Sequence, residues 1–377
     1  MMNSWERIAA ALEHREPDRI PFDLGGTFTS GIHVTAYQGL RQALGLARRQ
    51  PQIFCLDEQI AEVADDLAEK MGVDTRPVLP GSPVSWELAM QDGGDHMFYI
   101  NEFGMGLKKP KDGFYFDVVE FPLADARSEA DLDAFAWPDP LDPGRYTGLG
   151  ETARRLAQQG HAVVLNGICA GVMEMATWLT GFERFYTALA LEPDFVTALL
   201  TRLTEFKMAY WQRALAEVGD AVLVVQESDD LGAQEGPLIS PRLYQRLVWR
   251  HHKRLFDFIH ARTKAKVFFH SCGAIRPLIP SLIAAGVDIL NPVQVNAAGM
   301  EPEGLKRDFG GELVFWGGGV DTQRVLGQGT PRQVREDVRR NIEALAPGGG
   351  FVFAAVHNIQ ANVPAENIVA MWEELRS

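Results

Sequence analysis

Eight short apolar segments, each separated from the next by a helical pattern, constrain the fold of this chain more than any other feature. The segments are residues 19–26, 72–80, 161–168, 221–230, 266–273, 287–294, 313–321 and 350–358. Most of them lack polar alternation, as expected of strands that are buried on both faces. Strand and helix in regular alternation predict an α/β fold, a closed (β/α)8 TIM barrel, with a doubly wound open sheet as the alternative. The clearest helical patterns cover residues 57–72, 193–219 and 330–350.

Residues 81–125 interrupt this alternation after the second predicted strand. The segment is rich in aromatic and β-branched residues, and Lys111, Asp112 and Gly113 form a typical hairpin turn. It predicts an inserted antiparallel hairpin near the mouth of the barrel, with apolar surface that a homodimer could use. No long linker divides the chain, so residues 1–377 are expected to form a single domain.

Charge and cysteine content exclude several classes of protein. The formal net charge is −14, and a surface this acidic repels nucleic acid and anionic lipid. No segment approaches the roughly 18 apolar residues that a membrane span requires. Three sparse cysteines give no disulfide framework. We therefore expect a cytoplasmic protein that binds neither nucleic acid nor membranes.

Polar side chains that could take part in catalysis or ligand binding follow nearly every predicted strand. In barrel enzymes the carboxyl ends of the strands carry the active site, so this clustering predicts an enzyme with its site at the barrel mouth. Asp321, which follows a run of three glycines, is either part of that site or the cap of the next helix. The candidate residues at these strand ends include Asn166, Glu227, Asp230, Gln294, Asp321 and Asn358.

The fifth predicted strand ends in the sequence "FFHSCG", which places a histidine and a cysteine two residues apart. Because side chains alternate along a strand, His270 and Cys272 should point to the same side. They could be two ligands of a metal such as zinc, a cysteine nucleophile with its base, or buried packing residues. The glycine that follows indicates a tight turn or a close backbone approach.

His357, at the end of the eighth predicted strand, is the best candidate for a third ligand, and Glu227 is a possible further one. Zinc held by one thiolate and two neutral imidazoles keeps a positive charge and acts as a Lewis acid. The alternative is that His357 binds substrate or acts in catalysis without a metal.

Several segments, among them "HREPDRIPFD", "FFHSCGAIRPLIPSLIAAGVDILNPVQ" and "GGGFVFAAVHNIQANVPAENIVAMWEEL", resemble the uroporphyrinogen decarboxylase superfamily. The resemblance is closest to the branch related to zinc- and cobalamin-dependent methyltransferases, and it implies a (β/α)8 barrel. True uroporphyrinogen decarboxylases carry an arginine-rich segment after the first strand, whereas this chain has no arginine there before Arg41. The resemblance therefore favours a reaction other than porphyrinogen decarboxylation.

In the zinc methyltransferases a His-x-Cys pair and a later cysteine hold the metal, and the later cysteine corresponds to His357. The resemblance thus implies a zinc enzyme that moves a methyl group from a small O-methyl substrate to the cobalamin of a separate corrinoid protein. Asp230 or Glu227 would stabilise the leaving oxygen, and Asn166, Gln294 and Asn358 would orient the substrate. The alternative is a decarboxylase or lyase of a small carboxylic acid, in which Arg76 or Arg276 would bind the carboxylate of the substrate.

Overall fold

A computed structural model describes residues 1–377. Its strands are β1 (Ile53–Cys55), β2 (Ile60–Ala61), β3 (Thr75–Val78), β4 (Gln91–Asp92), β5 (His96–Ile100), β6 (Gly106–Pro110), β7 (Asp117–Glu120), β8 (Ala162–Leu165), β9 (Val224–Ser228), β10 (Lys266–His270), β11 (Ile289–Asn291), β12 (Val314–Trp316) and β13 (Phe351–Val352). Its α-helices are α1 (Ser4–Leu12), α2 (Val34–Ala43), α3 (Asp65–Met71), α4 (Glu129–Ala134), α5 (Leu149–Gln158), α6 (Val172–Thr180), α7 (Phe182–Leu191), α8 (Pro193–Val218), α9 (Pro241–Leu247), α10 (Trp249–His260), α11 (Ile279–Ala285), α12 (Pro302–Phe309), α13 (Pro331–Leu345) and α14 (Ala365–Leu375).

The central sheet is parallel and has the order β13-β12-β11-β10-β9-β8-β3. The eighth position, between β13 and β3, is filled by residues 21–23. The amide of Asp23 donates to the carbonyl of Phe353 at 2.8 Å, and the amide of Asp74 donates to the carbonyl of Phe22 at 2.8 Å. This first predicted strand pairs only briefly, because Pro21 has no amide hydrogen to donate. The sheet closes through this segment, and the predicted TIM barrel is confirmed.

Two cores follow from the alternation of side chains along the barrel strands. The larger core lies between the sheet and the surrounding helices, and the smaller fills the barrel interior with residues such as Val224, Phe268 and Trp316. Ile8 and Leu12 of α1 belong to the interior core, so this helix closes the amino-terminal end of the barrel. Chemistry is therefore confined to the opposite end.

The inserted segment forms a four-stranded antiparallel sheet, β4-β5-β6-β7, rather than a simple hairpin. The predicted turn at residues 111–113 joins β6 to β7, and the amide of Gly113 donates to the carbonyl of Pro110 at 2.9 Å. Beyond this turn, the amide of Phe116 donates to the carbonyl of Asp57 at 2.8 Å. That bond ties the insertion to the loop between β1 and β2.

The helical prediction for residues 57–72 is wrong over its first half. Ile60 and Ala61 form β2, which pairs with β1, and the helix begins only at Asp65. Both residues are buried. A pair of buried apolar residues is compatible with a short strand as well as with one turn of a helix, so the sequence pattern does not distinguish the two. The helices predicted at 193–219 and 330–350 are confirmed as α8 and α13. None of the helices combines the length and apolar character needed to span a bilayer.

Candidate metal centre

β10 carries His270 and Cys272 to the carboxyl end of the barrel. His270 shares the inward face with Phe268, which packs in the barrel interior. The Sγ atom of Cys272 lies 3.3 Å from Nε2 of His270. Gly273 adopts a φ of 88°, and a Cβ atom there would lie 2.4 Å from the backbone carbon of Gly232. The glycine after the pair is thus required both for the turn and for the close approach.

His357 completes a group of three potential ligands. One ligand atom from each of His270, Cys272 and His357 can be chosen so that all three lie within 4.8 Å of one another. The two imidazole rings meet edge to face, with centroids 5.1 Å apart. Residues 87 positions apart in sequence meet here because β13 and β10 end at the same rim of the barrel.

Asn291, at the end of β11, fixes the orientation of His270. The Nδ2 group of Asn291 donates to the carbonyl of Trp316 at 2.8 Å, which leaves its Oδ1 atom 2.6 Å from Nδ1 of His270. Nδ1 must therefore carry the hydrogen and donate it to Asn291. Nε2 of His270 keeps a free lone pair directed toward Cys272, which is the tautomer that a metal ligand needs.

The protonation states of the three groups depend on burial. Burial lowers the pKa of His270, although Asp230 and Asn291 oppose it. Burial and the neighbouring His270 lower the pKa of His357 to about 3. Burial, followed by the charges of Asp230 and Glu174, raises the pKa of the Cys272 thiol well above its usual value. Both imidazoles are thus neutral, which is the form that can bind a metal, whereas the thiol requires a nearby cation to ionise.

These residues fit a zinc ion. Zinc binds imidazole nitrogen at about 2.0 Å and thiolate sulfur at about 2.3 Å, so neighbouring ligand atoms of a tetrahedral site lie about 3.5 Å apart. The 3.3 Å separation of Cys272 and His270 is close to that value, and two neutral imidazoles with one thiol form a suitable donor set. Three protein ligands would leave a fourth position on the ion open, as in catalytic rather than structural zinc sites.

Asp230 lies next to this cluster. Its Oδ1 atom accepts a hydrogen bond from the amide of Cys272 at 2.8 Å and lies 3.7 Å from Nε2 of His270. The Asp230 side chain is 39% exposed, so it is open to the mouth. The sequence-predicted acid therefore contacts both members of the His-x-Cys pair.

Glu227 lies elsewhere, and its placement corrects the expectation of an acid or metal ligand at the mouth. It alternates with the interior residue Val224 and pairs in register with Phe269, whose side chain packs in the outer core. Its Oε2 atom lies 3.0 Å from Nζ of Lys207, and Trp211 donates to its other oxygen. Glu227 thus joins the sheet to α8 rather than facing the mouth.

The four predicted substrate-binding residues have different surroundings. Gln294 accepts from the amide of Gly273 at 2.7 Å, and so supports the turn after Cys272. Asp321 accepts from the amides of Gln323 and Arg324 and therefore caps a short helix, which is the second of its two sequence interpretations.

Asn358 and Asn166 remain next to the mouth. Asn358 accepts from the amide of Gly31 at 2.7 Å and donates to the carboxylate of Glu58. The Nδ2 group of Asn166 donates to the carbonyl of Gly26 at 3.1 Å, while its buried Oδ1 atom has no partner. Of the four amide and acid side chains, Asn166 is the one with a buried polar atom that has no partner.

Two acidic residues near the site are not among those predicted from the sequence. Glu58 lies in the loop between β1 and β2, and burial, followed by Asp57 and Asp230, raises its pKa to about 7. Glu174 lies in the first turn of α6, and burial together with Asp230 raises its pKa. Neither follows a barrel strand directly. For Glu174, its place in the helix after the third barrel strand was a usable signal, because such βα connections build the mouth.

The two arginines proposed for a carboxylic acid substrate are occupied. Arg76 is buried, donates to the carbonyl of Thr75 at 2.8 Å and lies 3.4 Å from Asp65. Arg276 donates to the carbonyl of Gly299 and pairs with Asp308. Both arginines make their contacts outside the metal-ligand cluster, which is the group formed by His270, Cys272 and His357.

Comparisons with known proteins agree with this architecture. The chain is 25% identical over 376 residues to a uroporphyrinogen decarboxylase from Alkalilimnicola ehrlichii, an alignment that covers 97% of this chain and 92% of that protein. Its fold is similar to the solved structure of a methyltransferase from Methanosarcina mazei, with a TM-score of 0.66 and 18% identity, covering 100% of this chain and 99% of the other.

The family model described as uroporphyrinogen decarboxylase (URO-D) matches residues 101–377, a range that includes all three residues of the metal-ligand cluster. The match covers most of the chain and the greater part of the barrel. The family expected from the sequence motifs is therefore confirmed: this chain belongs to the uroporphyrinogen decarboxylase family.

Proposed function

We propose that this protein is a zinc-dependent methyltransferase that transfers a methyl group from a small O-methyl substrate to the cobalt of a separate corrinoid protein. The observation that carries the proposal is the convergence of His270, Cys272 and His357 at the barrel mouth. The fold similarity to a methyltransferase from Methanosarcina mazei is consistent with it.

The three ligands suit the removal of a methyl group from oxygen. A zinc ion bound to one thiolate and two neutral imidazoles would act as a Lewis acid toward a leaving oxygen. A second thiolate in place of His357 would make the ion nearly neutral. His357 therefore favours substrates whose leaving group is an oxygen rather than a thiol to be activated.

The side chains around the cluster supply proton transfer and orientation. Glu58 has a pKa of about 7, so near neutral pH a fraction of it holds a proton that it can give to a leaving oxygen. Asn358 holds the Glu58 carboxyl group by a hydrogen bond from Nδ2. The free Oδ1 atom of Asn166 can accept a hydrogen bond from the substrate. The cobalamin would arrive on the partner protein and provide the methyl acceptor.

The second candidate is decarboxylation of a small acid, which is favoured by the similarity to the Alkalilimnicola ehrlichii uroporphyrinogen decarboxylase. It requires a cation that grips the substrate carboxylate. Arg76 and Arg276 are both engaged in other contacts, as described above. The methyltransferase therefore remains the better-supported function.

The test is to incubate the zinc-loaded protein with a panel of small methyl ethers and chemically reduced cob(I)alamin, and to follow methylcobalamin by its absorption spectrum. We expect methyl transfer that Cys272→Ser abolishes and that Cys169→Ser, a change of a thiol outside the cluster, retains. Release of carbon dioxide from small acids without any methyl transfer would reverse the order of the two candidates.

A further inference from the structure

The loop between residues 21–23 and helix α2 carries three buried hydroxyl groups, those of Thr27, Thr29 and Ser30. None of these residues is more than 4% exposed, so each hydroxyl group needs a partner within the protein. The Oγ1 atom of Thr27 lies 3.0 Å from Oγ1 of Thr29 and 3.0 Å from Oγ of Ser30. The Oγ1 atom of Thr29 lies 3.3 Å from Oδ1 of Asn291. The three hydroxyl groups therefore form a chain that ends on the residue that orients His270.

Asn291 fixes the direction of this chain. Its Nδ2 group donates to the carbonyl of Trp316, so its Oδ1 atom can only accept. Thr29 must therefore donate its hydroxyl hydrogen to Asn291, and Thr27 must donate its own to Thr29. The amide of Thr27 donates to Oγ of Ser30 at 3.1 Å, and the hydrogen of Ser30 is directed back to Thr27, either to Oγ1 at 3.0 Å or to the carbonyl oxygen at 3.3 Å. From Thr27 onward, every hydroxyl hydrogen thus points toward Asn291.

The Oδ1 atom of Asn291 has two lone pairs, and both are used. One accepts the hydrogen on Nδ1 of His270 at 2.6 Å, and the other accepts the hydroxyl hydrogen of Thr29. Without Thr29, only the bond to Trp316 would hold the amide from the side away from His270, and Oδ1 could move off Nδ1. The hydrogen of His270 would then no longer be tied to Nδ1 and could occupy Nε2, the atom that faces Cys272. An imidazole nitrogen that carries a hydrogen cannot bind a metal.

We propose that Thr29 is a positioning residue of the candidate metal centre: its hydroxyl group holds Oδ1 of Asn291 against Nδ1 of His270 and so keeps Nε2 of His270 free for zinc. Thr29 itself acts only through Asn291 and contacts neither the metal ligands nor a substrate. The inference rests on the zinc site of the proposed function, but not on the reaction or the substrate. The chain of hydroxyl groups contains no ionisable side chain, so its effect does not depend on a protonation state.

The experiment measures the tautomer of His270 and the zinc affinity in matched variants. The zinc-free protein is labelled with ¹⁵N-histidine, and the ring signals of His270 are assigned by their loss in His270→Gln. In the wild type we expect the hydrogen on Nδ1. In Thr29→Val we expect the tautomer with the hydrogen on Nε2 to gain population. Zinc affinity, measured by competition with a chromogenic chelator, should fall by about tenfold in the same variant. Thr29→Ser, which keeps the hydroxyl group, should recover both properties.

Thr180→Val is the matched control. It removes an equally buried hydroxyl group, which donates to the carbonyl of Ala176 at 2.7 Å within α6, and it should leave the tautomer and the affinity unchanged. The thermal unfolding midpoint of each variant shows that the protein remains folded. If Thr29→Val does not fold, Thr29→Ala removes the same hydroxyl group without placing a new methyl group beside Asn291.

Two outcomes would overturn the inference. One is an unchanged His270 tautomer in the variant that lacks the Thr29 hydroxyl group, whatever its zinc affinity. The other is a loss of affinity that Thr29→Ser shares in full. Neither measurement uses a methyl donor or cob(I)alamin, so the two proposals fail separately. A tautomer that depends on Thr29 without methyl transfer in the wild type contradicts only the methyltransferase. Methyl transfer in the wild type with an unchanged tautomer in Thr29→Val contradicts only the role of Thr29.

Discussion

The Nδ1 atom of His270 lies 2.6 Å from the Oδ1 atom of Asn291, and the two residues are paired in register on neighbouring strands β10 and β11. Asn291→Ala removes the acceptor that fixes the His270 tautomer. We expect zinc affinity to fall by about 10- to 100-fold, as for other partners of metal-binding histidines. Competition with a chromogenic chelator measures this. Asn291→Asp, which keeps an acceptor for Nδ1, should recover most of the affinity. Equal affinities of wild type and Asn291→Ala would contradict the tautomer assignment.

Metal content tests the cluster directly. The wild-type protein should bind one zinc ion, and Cys272→Ser or His357→Ala should lose it, because two remaining ligands hold zinc weakly. Elemental analysis after dialysis against a weak chelator gives the stoichiometry. Cys169→Ser is the matched control and should retain the metal. A metal-free wild type after exposure to zinc would leave His270 and His357 as acid–base or substrate-binding groups.

Removing Glu227 should affect stability and leave zinc binding intact. Glu227 and Lys207 are each about 2% exposed and lie 3.0 Å apart. Glu227→Ala leaves the lysine charge buried without its partner, which typically costs about 3–5 kcal/mol of unfolding free energy. Urea unfolding measures the loss. If zinc affinity fell together with stability in the folded variant, Glu227 would have to reach the mouth, against its outward position.

The stability of the zinc-free protein should decrease as pH rises through the range in which Glu58 titrates. Burial, Asp57 and Asp230 raise the pKa of Glu58 from 4.5 to about 7 in the folded state. Between these values the folded protein binds more protons than the unfolded chain, so its contribution to stability is present at low pH and is lost toward pH 7. Glu58→Gln, which cannot ionise, should therefore be the more stable variant at pH 8. Urea midpoints at pH 5 and pH 8 check this, and an unchanged difference between the proteins would contradict it.

The positions of the barrel strands, and of the side chains at their carboxyl ends, could be predicted because they depend on local sequence. The period of apolar residues located the barrel strands, and alternation placed His270 and Cys272 on one face. The same alternation does not decide which face of β9 points inward, and this is why the sequence alone predicts Glu227 at the mouth. That choice depends on the register with Phe269, which is a tertiary property. Glu58 could not be found at all, since its loop reaches the site only through contacts with Asn358 and with the inserted sheet.

Because α1 closes one end of the barrel, the site has a single entrance. Ile8 and Leu12 close one end, and the Phe268–Trp316 pair fills the interior above them. Every molecule that reaches His357 must therefore enter and leave through the opposite, open end of the barrel. In the proposed methyl transfer, a small donor and a protein-borne acceptor would share this entrance and could not pass one another. The donor would have to bind first, and its demethylated product could leave only after the acceptor protein had withdrawn. On the proposed function, steady-state kinetics should therefore be ordered, with the donor binding first and the demethylated product leaving last.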